Sequence, residues 1–434
     1  MTKTHERPLG RVELIAIAIG GMIGGGIFSI LGVSAEMVGN ATPIAILVGG
    51  VLAYFAAYSY AKLATYYEDE GATYSFFKLT FTNQKYLVSV VGWLIVFGYM
   101  STLALYAFTF SSYFSSLVGI QSVLGHKLVA LLILAIFTLL NLFSVNGMGK
   151  VEDAMVYTKV VILLVISGLF IRNGDMSLAA QFEISTLPFS NIFTVAAITF
   201  VAYEGFQLVI HAYKETESPK VNVPSAIYWS IGVTTVIYFV LSLGAVFSIP
   251  TDTLIRDKEF ALAAGTSDIL GPIGYGIVIV GALLATSSAI NGTLFGASRL
   301  MAVISEDGAL PKAFSKRWRG LIPYYSILGM GVCAYLFILS GGLKLIIEFG
   351  SITFILVSFL MALTNFKIRD RTQSGFFMTL TAMLFLGLAG VTILVYEAET
   401  DENQLIRILG IYVFLALSAK LYIRRPKDSS RSSR

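Results

Sequence analysis

The stretch Ala16-Ile-Ala-Ile-Gly-Gly-Met-Ile-Gly-Gly-Gly-Ile-Phe28 lies in an apolar run long enough to cross a bilayer. Five of its residues, Gly20, Gly21, Gly24, Gly25 and Gly26, are nevertheless glycine. Each glycine in a helix interior costs about 1 kcal/mol relative to alanine, so this cluster is the weakest part of its helix. A helix that opens at membrane depth bares N–H and C=O groups, which are tolerated only beside a cavity or a ligand. The opened segment also presents a half-helix N-terminus, which attracts an anion such as a carboxylate. The same glycines equally suit close packing of two helices, as small-xxx-small motifs do. The rest of the chain decides between these readings.

Outward from that stretch, the chain is built for lipid. Of its 434 residues, 56% are hydrophobic and 13% charged, whereas soluble domains carry roughly 25% charged residues. The mean hydropathy is +0.78. Apolar runs recur at about 12–38, 41–66, 86–118, 126–147, 151–172, 191–213, 224–249, 271–304, 322–340, 343–365, 375–396 and 404–423. Most reach the ~20 residues that a hydrocarbon core of ~30 Å requires. The expected fold class is an all-α polytopic membrane protein with 12 transmembrane helices, its partner the lipid bilayer. The single cysteine, Cys333, rules out an internal disulfide and a Cys-based metal site. His5, His126 and His211 are scattered without ligand spacing, so neither metal nor cofactor is expected. No segment outside the apolar runs is long enough for a separate soluble domain, and there is no GxxxxGK[ST] phosphate loop. Nucleic-acid binding, soluble enzyme chemistry and ATP-driven work have nowhere to sit.

Basic residues set the orientation, since cytoplasmic loops collect Lys and Arg. With the N-terminus inside, Lys78, Lys85, Lys150, Lys214, Lys220, Lys312, Lys316, Arg317, Arg319, Lys367, Arg369, Arg371, Arg424 and Arg425 all fall in cytoplasmic loops or tails. The acidic group Glu397, Glu399, Asp401 and Glu402 falls outside. Both termini are therefore expected in the cytoplasm, with residues 1–11 an uncleaved tail and 424–434 a second, of which Asp428–Arg434 is expected to be disordered.

A second interrupted span appears five helices after the first, Thr199-Phe-Val-Ala-Tyr-Glu-Gly-Phe-Gln207, with Gly205 and the carboxylate Glu204 near mid-membrane. Two broken spans in corresponding halves are the sequence sign of an inverted-repeat transporter whose site lies where the breaks meet. That pairs residues 12–173 (helices 1–5) with 191–366 (helices 6–10) and leaves 375–423 as two extra helices.

Four motifs carry a family resemblance: GGMIGGGIF (Gly20–Phe28), FVAYEGF (Phe200–Phe206), ETESPKVNVPSAI (Glu215–Ile227) and SSAINGTLFGASRLMAVISEDGALP (Ser287–Pro311). Together they resemble the amino acid–polyamine–organocation superfamily, most nearly its prokaryotic proton-coupled permeases of the ApcT type. The resemblance implies a LeuT-like five-plus-five inverted repeat with helices 1 and 6 interrupted, and uptake of a small-molecule amino acid by alternating access.

Lys159 is the sharpest single residue, an ionisable group inside the fifth apolar run. Such groups are costly in a membrane and usually functional. A desolvated amine holds its proton less firmly, so it can load and release one within a cycle. In the resembled permeases a lysine here occupies the place that sodium takes in sodium-coupled relatives. Gly20, Gly21 and Ser287 or Ser288 are the candidate partners of such an amine, which makes a proton the expected coupling ion. The alternative is a lysine snorkelling to the inner interface.

For substrate, freed N–H groups at Ile23, Gly24, Gly25 and Gly26 would hold a carboxylate, and carbonyls of Phe200, Ala202 or Tyr203 an ammonium. Tyr99 and Phe206 are candidate aromatic gates. Glu204 stands where many members of the resembled family carry an apolar or small residue. It can bind the substrate ammonium, favour cationic groups, move a proton, or clamp the broken helix. Asn291 shares a helix face with Ser287 and Ser288, as a cavity group or an interhelical hydrogen-bond partner. Glu348 and Asn141 are weaker candidates near membrane ends, and Glu152, Asp153, Glu215 and Glu217 read as solvated loop charges.

The expected function is a secondary active transporter that imports an amino acid across the cell membrane with a proton. An amino acid or amine exchanger of the same fold is the nearest alternative. Sodium coupling is disfavoured by the charge of Lys159. A channel would need polar rings or a carbonyl filter, and an intramembrane enzyme a catalytic constellation; the chain shows neither.

Overall fold

The computed structural model describes residues 8–143, 149–174, 189–257, 260–318 and 322–423. The tails before Pro8 and after Ile423, Arg319, and the side chains of Lys150, Glu152 and Asp153 lie outside the described residues. Among those described, all extended regular structure is helical.

The first span is α1 (Arg11–Met22) and α2 (Gly25–Val38), separated by Ile23 and Gly24 in non-helical conformations. Next come α3 (Thr42–Tyr67), the short α4 (Ala72–Thr80), α5 (Lys85–Val118), α6 (Val123–Phe143) and α7 (Gly149–Asn173). Pro43 opens α3, where a missing N–H costs nothing. The sixth span starts as α8 (Phe189–Ile198) and continues as two 3₁₀ segments, Phe200–Tyr203 and Phe206–Glu215, bent by 54° overall. Then follow α9 (Pro219–Ser248), α10 (Thr251–Asp257), α11 (Ala261–Glu306), α12 (Tyr324–Lys367), α13 (Arg369–Thr372), α14 (Phe376–Thr400) and α15 (Glu402–Ile423).

Among the described residues, nine helical runs are long and apolar enough to cross a membrane, ten if the bent sixth span counts as one. Two of these runs, Gly25–Tyr67 and Tyr324–Lys367, are 43 and 44 residues long, more than twice what one crossing needs. Each is interrupted by a glycine at positive φ, Gly39 (51°) and Gly342 (68°). Dividing them there, with α1 and α2 as one broken span, accommodates the twelve expected spans. Gly271 (φ 64°) with Pro272 likewise breaks α11, where the eighth span was expected to begin. Helices α4 and α10 were not anticipated; at 9 and 7 residues they are too short for a periodic pattern to show.

The lipid-facing surface is explicit on α6. Leu128, Leu131, Leu132, Ile136, Leu139, Leu140 and Phe143 are exposed along one stripe, an apolar face that none of the described residues covers. Charged loops gather at one end of the bundle. There Leu9 pairs through its backbone with Glu215 and Glu217, and Lys220 meets Glu68 at 2.7 Å, Lys78 meets Asp307 at 2.7 Å and Arg317 meets Glu306 at 3.1 Å. Trp93 donates to Ala309 O and stacks near Tyr422, which brings the end of α15 to the same face as Leu9.

At the opposite end, beside the Gly342 break, Lys344 stands 3.7 Å from Glu348, 3.4 Å from Glu397 and 3.7 Å from Asp401. Gln404 Nε2 donates to Glu348 at 2.7 Å. Glu348 and Glu397 are buried, while the Lys344 side chain is 43% exposed. The cluster joins α12 to α14 and α15. Lys344→Met is expected to lower stability by about 2–3 kcal/mol, less than for a fully buried pair because the lysine is partly in water. The loss is read as a fall in the thermal midpoint of the detergent-solubilised protein. Adding Glu397→Gln should restore most of it; a double variant no better than the single would show that the two are not coupled.

Candidate functional site

The two breaks cross backbone to backbone. Gly205 has φ 131°, and a Cβ built on it would lie 2.5 Å from Gly21 C and 2.6 Å from Met22 N. A Cβ on Gly26 would lie 3.0 Å from Ala202 Cα. The glycines therefore do both things open to them: they let the first span unwind, and they let the second break approach it.

Within the first break, the N–H of Ile23 donates to Ile19 O at 2.8 Å and that of Gly24 to Met22 O at 3.0 Å. Both are thus engaged within the chain. The amides of Gly25, Gly26 and Ile27 open α2 and have no acceptor four residues back inside that helix. In the second break, Glu204 is extended (φ −69°, ψ 137°) between the 3₁₀ segments. Ser351 Oγ accepts the Val201 N–H at 3.0 Å and donates to Ile198 O at 2.5 Å, which fixes the backbone on either side of Phe200. Tyr203 donates to Ile46 O on α3 at 2.5 Å.

Tyr238, from α9, ties the breaks together. Its hydroxyl lies 2.7 Å from Met22 O and 3.2 Å from Ala202 O, and one proton serves two carbonyls. Tyr106, from α5, approaches Gly21 O at 3.3 Å and covers Gly24, where a Cβ would lie 2.6 Å from its ring. Tyr238→Phe removes the hydroxyl donor from Ala202 O and leaves Met22 O with the Gly24 N–H alone, which costs about 1–3 kcal/mol. A lower thermal midpoint and a slower initial rate of transport are expected together; an unchanged rate would show that the bridge is not needed in the cycle.

Lys159 reaches the same crossing from α7. It is 0% exposed, and its Nζ donates to Gly20 O at 2.8 Å and to Ser288 Oγ at 3.4 Å. The amine is thus turned to the first span and α11 rather than to a membrane end. Ser287, the alternative partner, is half-buried. The Gly20 face is closed by Val156 on α7, whose Cγ2 would sit 2.8 Å from an added Cβ.

Glu204 is 4% exposed and bonded through Oε2 to Gln207 Nε2. Gln207 also accepts the Gly205 N–H at 3.1 Å and donates to Tyr99 Oη at 3.2 Å. Tyr99 packs edge-on to Phe354 and Phe206 edge-on to Tyr60, with ring centroids 5.6 and 5.4 Å apart. Both candidate gates are therefore buried beside the crossing. Asn291 is joined to Asn141 on α6, whose Nδ2 donates to Asn291 Oδ1 at 2.9 Å, so it is engaged between helices. Gln207, Tyr106, Tyr238 and Ser351 were missed by sequence reasoning. Only Gln207 carried a signal, its three-residue spacing from Glu204.

Comparison with known proteins follows the same lines. A family model described as amino acid permease matches residues 9–415. The inner membrane transport protein YbaT of Escherichia coli strain K12 is 34% identical over 319 residues, covering 72% of this chain and 73% of that protein. The branched-chain amino acid permease BcaP of Bacillus subtilis is 27% identical over 344 residues, 72% of this chain and 70% of its own length. An uncharacterized protein of Methanocaldococcus jannaschii is 28% identical over 428 residues, 96% of each chain.

Proposed function

The chain belongs to the amino acid permease family, within the amino acid–polyamine–organocation superfamily, and from that premise we propose that it imports an amino acid by proton symport. It is a multi-pass membrane transporter and not an enzyme. The finer reading is of uptake across the plasma membrane by alternating access, with both termini cytoplasmic, as the basic loops favour. Residues 12–173 and 191–366 act as the two inverted repeats, broken at Ile23–Gly24 and Glu204–Gly205.

One observation carries the coupling: the Lys159 amine, 2.8 Å from Gly20 O and 3.4 Å from Ser288 Oγ. A charge fixed between the first span and α11 fills the space a coupling cation needs, and its proton can be exchanged within the cycle. Protonated, the amine holds α1 against α7 and α11. Deprotonated, it loses the charge that strengthens both hydrogen bonds, and α1 is freer to swing. In this reading the substrate carboxylate meets the amides that open α2, at Gly25 and Gly26 with Ile23 and Gly24 beside them. The substrate ammonium meets carbonyls at Phe200, Ala202 and Tyr203, with Glu204 and Asn291 nearby and Tyr99 and Phe206 as the cover. Backbone groups suit a zwitterion, because half-helix ends carry partial charges of both signs. The buried carboxylate Glu204 favours a second reading, exchange of amino acids or amines.

The test uses purified protein in liposomes and a panel of radiolabelled amino acids. An inward proton gradient is expected to drive concentrative uptake, and an inward sodium gradient is not. Sodium-driven accumulation would overturn the coupling, and uptake only into preloaded vesicles would move the assignment to exchange.

A further inference from the structure

We propose that Glu204 is the counter-ion for a second positive charge carried by the substrate, so that the site selects amino acids with a cationic side chain. The inference rests on the transport reading above and adds the substrate class. It starts from which atom faces which. A backbone N–H can only donate, so the Gly205 N–H at 3.1 Å identifies the Gln207 atom it meets as Oε1. The amide nitrogen must then be the atom facing Glu204 and Tyr99. Glu204 Oε2 is therefore an acceptor, held in place by the break itself.

The hydrogen bond from Gln207 is the one described for this carboxylate, and no basic side chain among the described residues pairs with it. A carboxylate so deeply buried takes up a proton or finds a cation. The groups around it suit a cation. Tyr99 is joined to it through Gln207, and Phe206, two residues on, packs edge-on to Tyr60. Aromatic faces beside an anion attract ammonium and guanidinium groups. Gly26, in the first turn of α2, faces Ala202, whereas Gly205, next to Glu204, faces Gly21 and Met22 at the end of α1. A substrate whose carboxylate meets the α2 amides would thus extend its side chain toward Glu204.

Lysine and norleucine differ by the ε-ammonium alone, so they form the discriminating pair. In liposomes, native protein is expected to take up lysine in preference to norleucine by roughly 10- to 100-fold, the scale of one charge-assisted hydrogen bond. Glu204→Gln, which keeps the shape and the contact to Gln207, is expected to erase that ratio chiefly by losing lysine. Should the variant fail to fold, the native ratio decides alone. Norleucine taken up as well as lysine by native protein would overturn the proposal while leaving amino acid transport intact. The proposal falls equally if Glu204→Gln keeps the lysine preference and shifts only the pH dependence of uptake, since the carboxyl would then carry a proton instead. No uptake of any amino acid would sink the transport reading itself.

Discussion

Lys159→Ala is expected to abolish proton-driven accumulation, bringing uptake in reconstituted vesicles down to that of empty liposomes while binding of the amino acid persists. The side chain is buried and its amine bridges Gly20 O and Ser288 Oγ. Its loss leaves the Gly20 carbonyl without that donor, a cost of about 1–3 kcal/mol, so a lower thermal midpoint accompanies the change. Stability alone does not separate a proton carrier from a structural strut. Lys159→Arg does, because a guanidinium keeps the charge yet does not deprotonate at any accessible pH. If the proton on residue 159 must come and go, the arginine variant binds substrate and still fails to accumulate it. If the charge merely anchors α1, arginine restores uptake wherever its bulk is accommodated. Accumulation in both variants at the native level, under the same proton gradient, would remove Lys159 from the coupling.

The positions of the two breaks were legible because a glycine's cost is local: Gly20 to Gly26 and Gly205 weaken the helix wherever it packs. The boundary near residue 342 was legible too, since the apolar runs on either side are each long enough for a crossing. Rotational phase was not. Ser287 and Ser288 are adjacent, and only the packing of α11 against α7 turns Ser288 to the Lys159 amine. Tyr238 is one of 22 tyrosines, and nothing in its neighbourhood separates a bridge between breaks from a tyrosine at a lipid interface. Gln207 stands three residues after Glu204, a spacing that aligns side chains in a 3₁₀ turn; the sixth span was read as an α-helix with a gap, so the pairing went unseen. Lys344 and Glu348 are a visible i,i+4 pair, whereas Glu397 and Asp401 reach them only through the folding of α14 onto α12. Local cost shows in a sequence; partners chosen by tertiary packing do not.

Gly205→Ala is the substitution expected to do the most damage for the fewest atoms. At φ 131° and ψ −21° an alanine is outside the conformations open to L side chains, a strain of about 1–3 kcal/mol. The added methyl would also lie 2.5 Å from Gly21 C, 2.6 Å from Met22 N and 2.9 Å from Gly21 O. Every one of these atoms is backbone, so no side chain can swing aside, and overpacking adds about 1–3 kcal/mol more. Relief is available only by moving the first break away from the second. That motion would separate Met22 O from Ala202 O, which Tyr238 now bridges, and displace Gly20 from Lys159. The variant is therefore expected to lose transport completely and to melt well below the native protein in detergent. Gly232→Ala is the matched control: it lies inside α9 with nothing within 4 Å of the added methyl, and replacing a helix-interior glycine there should be neutral or stabilising by up to about 1 kcal/mol. A Gly205→Ala protein that melts and transports like the Gly232→Ala protein would mean that the breaks do not touch. With the breaks apart, a substrate could not bridge the α2 amides and the carbonyls of the sixth span, so one comparison of two methyl groups tests the geometry on which the site depends.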